Sequence, residues 1–267
     1  MAEAVDQDAF FTAAGEELIP APHARGPWAP NMMHGRLLGG LMARAIEREH
    51  VDEGLHVARL TVDLFRRAEV VPLRVATKRV RDGGRIRVVD ATVITRGSTA
   101  DGVVARASAV LLRRGERPPG EVWTTPGWDA PGPEELGEPM RDTPFRLWRI
   151  GRDGKPSRSW SSAESRRAWV SEAHELVAGE SASPFVRVAL AADLTSPMAL
   201  FGTAGLRYIN ADYTLTLGRL PLSQAIGFES VGHLSDDGVA VGRCTLYDSA
   251  GAIGFSVVTA IANPHRL

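Results

Sequence analysis

An acidic residue lies at the centre of an apolar segment near the middle of the chain. The segment RVALAADLTSPMALFG, residues 187–202, surrounds Asp193 almost entirely with small or apolar residues. A carboxylate in such surroundings is costly unless it is paired or functional. Lost hydration favours the neutral acid and raises the pKa, which suits Asp193 to act as a general base. The alternative is a structural role, in which Asp193 only hydrogen-bonds neighbouring backbone or Asn210.

A proline follows this acid at helical spacing. The segment from about 184 to 202 has the composition of a buried helix, and Pro197 comes four residues after Asp193. Proline has no N–H, so the carbonyl of Asp193 loses its helical partner and the helix is expected to bend. Bends that free polar groups often occur at functional sites.

Other catalytic and binding patterns are missing from the sequence. Neither G-x-S-x-G nor G-x-G-x-x-G occurs, and Arg149 stands where a P-loop needs its first glycine. The seven histidines show no close metal-binding spacing, so no metal site is predicted. His34 is interpreted as a loop or helix-start residue, with a substrate contact as the alternative. The single cysteine, Cys244, is predicted to be a packed apolar residue.

The elements that must position these residues occur twice along the chain. A helix over 34–50 carries one apolar stripe, and its Gly39 and Gly40 indicate close approach to another backbone. Strand patterns follow at 57–66, 73–81, 85–95 and 102–113. After the second helix, strand patterns follow at 206–219, 222–233, 238–247 and 252–262.

The shared order of helix and four strands predicts two similar domains. Asp63 and Asp212 occupy matching places, each nine residues before a proline. We predict an N-terminal domain over 1–115, a Pro/Gly-rich linker over 116–140 and a C-terminal domain over 141–267. A helix followed by antiparallel strands favours an α+β fold in which a curved sheet wraps around a helix. Joining the two halves side by side is expected to cover the sheet edges.

Charge and hydropathy limit the partners. The net charge of −1 gives no reason to expect nucleic acid or an anionic membrane. No apolar run is long enough to span a membrane and the N-terminus lacks a signal pattern, so we expect a cytoplasmic protein. The segment 59–117 is rich in arginine. These arginines either line the solvent face of strands or bind the phosphates of a ligand.

Two motifs connect the sequence with a known family. The segment GPWAPNMMHG leading into the first helix, and LAAD inside the second, resemble the double-hotdog acyl-CoA thioesterases of the thioesterase II type. The resemblance covers roughly residues 10–264. It implies a tandem hotdog, with two antiparallel sheets each wrapped around a central helix.

The resemblance also implies a water-binding triad in the second half. The family's aspartate corresponds to Asp193, and its threonine or serine position is occupied by Asn210. The family's glutamine position is occupied by Val258, with Ser256 and Thr259 beside it. The usual HGG at the start of the first helix is HGR here, because Arg36 replaces the second glycine.

The predicted function is hydrolysis of an acyl-CoA by a water that Asp193 orients and deprotonates. Backbone N–H groups at a helix N-terminus are expected to stabilise the developing oxyanion. His34 and Gly35, at the start of the first helix, are expected to form part of a similar site in the first half. Coenzyme A enters only as part of the substrate, no metal or redox cofactor is expected, and a homo-oligomer is possible.

Two alternatives remain open. The first is a degenerate acyl-CoA-binding protein that lost catalysis with the glutamine. The second is an acyl-thioester hydratase or dehydratase, whose D-x-N-P-x-H pattern the sequence lacks.

Overall fold

The chain forms an α+β structure made mostly of strands. The computed structural model describes residues 9–96, 102–140, 143–157 and 164–263. Its first part contains β1 (Ala9–Ala14), β2 (Glu17–Pro20), α1 (Gly35–His50), β3 (Leu55–Leu64), β4 (Leu73–Asp82), β5 (Ile86–Thr95) and β6 (Val103–Arg113). Its second part contains α2 (Pro133–Leu136), β7 (Phe145–Ile150), β8 (Arg167–Glu172), β9 (Glu175–Val177), α3 (Pro184–Ala192), α4 (Thr195–Leu200), β10 (Phe201–Gly202), β11 (Gly205–Leu206), β12 (Tyr208–Asn210), β13 (Asp212–Leu217), β14 (Ile226–Asp236), β15 (Val239–Asp248) and β16 (Gly251–Ala262).

The first helix and the strands that follow it confirm the sequence prediction. The apolar stripe of α1 is buried, and the helix packs on β4, β5 and β6 and against α3. The space beside its two glycines is filled by side chains of other elements, and not by a neighbouring backbone as expected. A Cβ on Gly39 would lie 1.8 Å from the Tyr213 hydroxyl oxygen, and one on Gly40 would lie 2.4 Å from Leu190 Cδ2.

The main sheet is continuous across both halves, so the halves join side by side as expected, but they do not form the two sheets that the family resemblance implies. In the described residues its order is β7-β8-β14-β15-β16-β13-β3-β6-β5-β4-β2-β1-β9, with β12 paired to β16; β10 and β11 form a small hairpin. The halves join where β3 pairs antiparallel with β13, and Asp63 faces Asp212 there. Pairing these strands removes two exposed edges, which explains why the sheet does not divide.

The second apolar segment forms two helices instead of one. Helix α3 ends at Ala192, α4 begins at Thr195, and Asp193 lies at the break. Helix α3 packs against β8 and β13, whereas α4 packs against β14, β15 and β16. The predicted single helix over 184–202 is therefore wrong at its centre, although the bend at Asp193 is confirmed.

The predicted linker is anchored to the second half. Trp128 stacks on Tyr247 with ring centroids 4.7 Å apart and contacts the ring of Trp169 at 5.0 Å. The indole N–H of Trp169 donates to the carbonyl of Pro131 at 2.8 Å. The segment therefore covers part of the outer face of the sheet.

Two further sequence predictions concern Cys244 and membrane-spanning helices. Cys244 is buried, and burial raises its pKa to about 12, as fits a packed apolar residue. No helix in the described part of the chain combines the length and apolar character needed to cross a membrane.

Candidate functional site

The break between α3 and α4 presents Asp193 at a helix end. Pro197 cannot donate to the carbonyl of Asp193, and the N–H of Ser196 donates to it instead at 3.1 Å. The chain thus tightens for one turn before α4 begins. This turn places the Asp193 carboxylate in a cavity, with its side chain only 7% exposed.

Asn210 is the direct hydrogen-bond partner of this carboxylate. Its side-chain nitrogen donates to Asp193 Oδ1 at 2.8 Å and approaches the carbonyl oxygen of Asp212 at 3.3 Å. Strand β12 holds Asn210 in place by pairing antiparallel with β16. The structure therefore brings together the two residues that the sequence placed first in the site.

The start of α1 completes the surroundings of Asp193. His34 caps this helix, and its Nδ1 lies 3.7 Å from Asp193 Oδ2. A Cβ on Gly35 would lie 3.5 Å from the same oxygen and 3.1 Å from Leu64 Cδ1. His34 and Gly35, from the first half of the chain, therefore border Asp193 of the second half. Side-chain contacts between distant segments carry no local sequence pattern.

The electrostatics favour a carboxyl group that titrates above the ordinary aspartate range. Burial raises the pKa of Asp193, while the hydrogen bond from Asn210, the charge of Arg36 and the backbone of Arg36 act in the opposite direction. Burial and the charge of Arg36 lower the pKa of His34 to about 3. His34 is therefore neutral at physiological pH, and its contact with Asp193 is not an ion pair.

The positive end of a helix faces the same carboxylate. Helix α1 has 16 residues, and its first turn contains no acidic side chain. The partial positive charge of a helix N-terminus stabilises a nearby anion. It thus favours a negative charge on Asp193 or on a group bound beside it.

A cavity of about 450 Å³ extends from these residues. His34, Asp193 and Asn210 line one part of it. Its apolar wall includes Trp28, Phe145, Leu147, Val170, Met198 and Leu206. Its size and its mainly apolar walls with a few convergent polar groups are typical of a small-molecule site.

The three candidates on β16 do not line this cavity. Val258 is fully buried beneath α4, where its Cγ2 lies near the position that a Cβ on Gly242 would take. Ser256 is buried and donates to the carbonyl of Ala192 at 3.1 Å. Thr259 is exposed on the other face of the strand and donates to Asp212 Oδ2 at 2.7 Å.

Arginines from the basic segment do not line this cavity either. Among the described residues, no arginine between 59 and 117 lines it, whereas Arg25 and Arg149 do. The alternative that arginines of this segment bind the phosphates of a ligand stays a prediction. Within the ranges that the structure describes, no three His, Cys, Asp or Glu side chains are grouped to hold a metal ion.

Sequence reasoning missed most of the apolar wall. Phe145 and Leu147 come from β7 and Met198 from α4. Each looks like an ordinary core residue in sequence. The sequence signal that could have identified Met198 was Pro197. Met198 directly follows this proline near the bend between α3 and α4, and both line the cavity.

Two family models match the chain. A model described as the acyl-CoA thioesterase N-terminal domain matches residues 24–112, and one described as the acyl-CoA thioesterase C-terminal domain matches residues 119–261. A comparison with curated proteins finds no match.

Several solved structures share the fold. The tesB protein of Mycobacterium avium subsp. paratuberculosis is 14% identical, with 95% of this chain and 96% of that chain covered and a TM-score of 0.68. Acyl-CoA thioesterase II TesB2 from Mycobacterium marinum is 16% identical, with 86% and 90% covered and a TM-score of 0.64. A conserved hot dog fold protein of unknown function from Alicyclobacillus acidocaldarius is 14% identical, with 98% of both chains covered and a TM-score of 0.68. At these identities the likeness concerns the fold.

Proposed function

The chain belongs to the acyl-CoA thioesterase family, and on that premise we propose that it hydrolyses an acyl-CoA thioester to a free acid and coenzyme A. The observation that carries the proposal is the buried Asp193 carboxylate, held by Asn210 at 2.8 Å beside a largely apolar cavity. A carboxyl group with a raised pKa at such a place suits general-base catalysis near neutral pH.

In the proposed reaction, water is the nucleophile and Asp193 is the base. The ionised carboxylate takes a proton from the water as its oxygen attacks the thioester carbonyl carbon. The tetrahedral intermediate then collapses, the carbon–sulfur bond breaks, and the thiolate of coenzyme A leaves and receives the proton that Asp193 took from the water. Asn210 fixes the carboxylate by donating to Oδ1, which leaves Oδ2 for the water.

The start of α1 is the proposed site for the developing oxyanion. Gly35 brings its backbone close to Asp193 because it has no side chain there. The backbone N–H groups of the first helical turn and the helix dipole stabilise negative charge that forms in the transition state. Neutral His34 borders the same space.

The acyl group is proposed to occupy the apolar part of the cavity. Phe145 and Leu147 form one side of this space and Met198 forms another. This placement puts the acyl chain of the substrate between α4 and β7. Each methylene group buried there contributes about 0.8 kcal/mol. The coenzyme A portion is the only cofactor-like group that the reaction needs.

The direct test is release of free thiol from acyl-CoA substrates of graded chain length. We expect saturable hydrolysis that depends on chain length, because the acyl group fills a cavity of limited size. Coenzyme A thiol is measured with a chromogenic disulfide, and the same substrates without protein give the background rate. Saturable binding without any thiol release contradicts the hydrolase proposal.

One observation favours a second candidate, an acyl-CoA-binding protein without turnover. The position that the resemblance assigns to glutamine holds Val258, and this side chain does not reach the cavity. Asp193 and Asn210 would then hold the water without a third polar side chain from β16. The thiol-release measurement separates the two candidates.

Replacing Val258 by Gln is expected to destabilise the protein without raising turnover. The amide would enter an apolar region beneath α4 and lack hydrogen-bond partners. We expect a free energy of unfolding about 1–3 kcal/mol lower than that of Val258→Met, which has a similar length and no amide. Urea denaturation of both variants measures this difference. Higher turnover in Val258→Gln, with stability equal to Val258→Met, contradicts the observed placement of this residue.

A tandem arrangement of two hotdog units is part of the proposal. The packing of α1 on β4–β6 and of α4 on β14–β16 supports it, because each helix contacts strands of its own half. The cytoplasmic location and a homo-oligomeric state stay predictions.

A further inference from the structure

A charged side chain lies in the interior beside the proposed active site. Arg36, in the first turn of α1, is fully buried, and its Nη1 donates to Glu172 Oε1 on β8 at 2.6 Å. The guanidinium also lies over two aromatic rings, 5.0 Å from the centroid of Phe10 and 5.4 Å from that of Phe145. An ion pair and two ring contacts thus fix the orientation of one side chain.

Stability alone is a weak explanation for this pair. Removing two charges from water is costly, and replacing a buried ion pair by apolar residues is often neutral or stabilising. Within the described structure, Arg36 Nε and Glu172 Oε2 are buried and have no hydrogen-bond partner, so the pair is incompletely satisfied. A feature with this cost fits a role in positioning better than a role in stability.

The location of the pair shows what it could position. Arg36 follows His34 and Gly35 at the start of α1, and both of those residues border Asp193. On the other side, its Nη2 approaches the carbonyl oxygen of Pro144 at 3.5 Å, and Pro144 and Phe145 line the cavity. The guanidinium therefore connects two walls of the cavity that come from different halves of the chain.

We propose that Arg36 and Glu172 are positioning residues, which hold the start of α1 against β7 and β8 and thereby fix the geometry of the cavity around Asp193. The inference rests on the proposed thioesterase function. Neither residue contacts the substrate in this proposal. They act through His34, Gly35 and Phe145, and through the positive charge that Arg36 holds near Asp193.

A second ion pair provides a matched control. Arg44 on α1 donates to both carboxylate oxygens of Glu180 at 2.6 Å. This pair also connects α1 with the second half and has the same sequence separation of 136 residues. It does not line the cavity of Asp193. Arg44 is more exposed than Arg36, so the two pairs are compared by kcat, and a purely structural role predicts no difference in kcat between them.

The test compares two double variants of the full chain. Arg36→Met/Glu172→Met removes both charges and keeps aliphatic volume. Arg44→Met/Glu180→Met does the same at the control pair. We expect kcat for acyl-CoA hydrolysis to fall about 10- to 100-fold in the first, because small displacements of reacting groups are costly. We expect KM to change little there and the second variant to keep the wild-type kcat. Both variants should keep a cooperative thermal transition.

The pH profile is a readout that simple loss of stability would not move. The positive charge of Arg36 acts to lower the pKa of Asp193, which also faces His34 of α1 and Tyr213 of β13. His34 is neutral and the pKa of Tyr213 is raised by burial, so neither changes charge near neutral pH. The acid limb of kcat/KM should therefore move to higher pH in Arg36→Met/Glu172→Met and stay in place in the Arg44 control.

Two results would overturn the proposal. One is a wild-type kcat and acid limb in Arg36→Met/Glu172→Met. The other is an equal loss of kcat in the Arg44 control. If the wild-type protein hydrolyses no acyl-CoA, the proposed function fails, and carbon NMR then follows the Asp193 carboxyl, assigned by its loss in Asp193→Asn. An upward shift of its titration in the Arg36 double variant supports the positioning role, and an unchanged titration overturns it.

Discussion

Asp193→Asn is expected to abolish most turnover while the fold stays intact. Asparagine keeps the volume of the side chain, and its oxygen can still accept the hydrogen bond from Asn210. It cannot take a proton from water, and loss of a general base costs about 10²–10⁴ in rate. Steady-state thiol release from acyl-CoA by the purified variant measures this loss against the uncatalysed background.

The same variant should be no less stable than wild type, whereas a substitution that damages the structure would lower the stability. Burial raises the pKa of Asp193 in the folded protein above its unfolded value. Stability is therefore lost as pH rises from the ordinary aspartate range through the raised pKa, because the carboxyl ionises more readily when unfolded. Asparagine cannot ionise, so the variant should melt no lower than wild type at pH 7. Thermal melts below and above this range measure the difference.

Asp248→Asn is the matched control for this substitution. Asp248 is also buried, and although burial acts to raise its pKa, hydrogen bonds from Arg219 and from backbone N–H groups lower it. Both carboxylate oxygens accept from Arg219 at 2.6 Å. We expect about 1–3 kcal/mol less stability and an unchanged kcat, because a charged hydrogen bond far from the cavity is lost. If Asp193→Asn instead loses stability like Asp248→Asn and keeps its turnover, Asp193 is structural.

Local periodicity predicts much of the fold. The stripe of α1 and the alternation of β5 are repeated signals, and each depends only on neighbours in sequence. The bend after Ala192 could also be predicted, because Pro197 removes a specific N–H. The joining of the two halves side by side could be expected, because it covers sheet edges. The partners could not, since the pairing of β3 with β13 depends on which edges meet after both halves have formed.

The candidate site shows the same division between local and distant information. Asp193 stood out because a carboxylate in an apolar helix is unusual wherever it lies. Its contact with His34 depends on packing between α1 and α3. On β16, strand alternation places Ser256 and Val258 on one face and Thr259 on the other, so they could not all share a site. The sequence did not reveal that the inner face at Val258 is covered by α4.

Replacing Asn210 by Asp is expected to impair turnover by changing the titration of Asp193. The new carboxylate would lie within hydrogen-bond distance of Asp193 Oδ1, where Asn210 now donates at 2.8 Å. Two carboxylates so close cannot both ionise easily, so the pair retains a proton to higher pH. We expect turnover at pH 7 to fall about 10- to 100-fold and the acid limb of the pH–rate profile to move to higher pH.

Asn210→Thr separates this charge effect from simple loss of the amide. Its hydroxyl can still donate towards Asp193 and adds no charge, and the family resemblance implies threonine or serine at this position. We expect Asn210→Thr to keep the acid limb of wild type and to lose less than about tenfold in kcat, since the hydroxyl replaces the amide as the donor to the ionised carboxylate. The pH–rate profiles of both variants, measured from pH 5 to 9 by thiol release, decide the matter. Equal losses at every pH would mean that Asn210 acts by its shape, and the proposed coupling to the Asp193 base would be wrong.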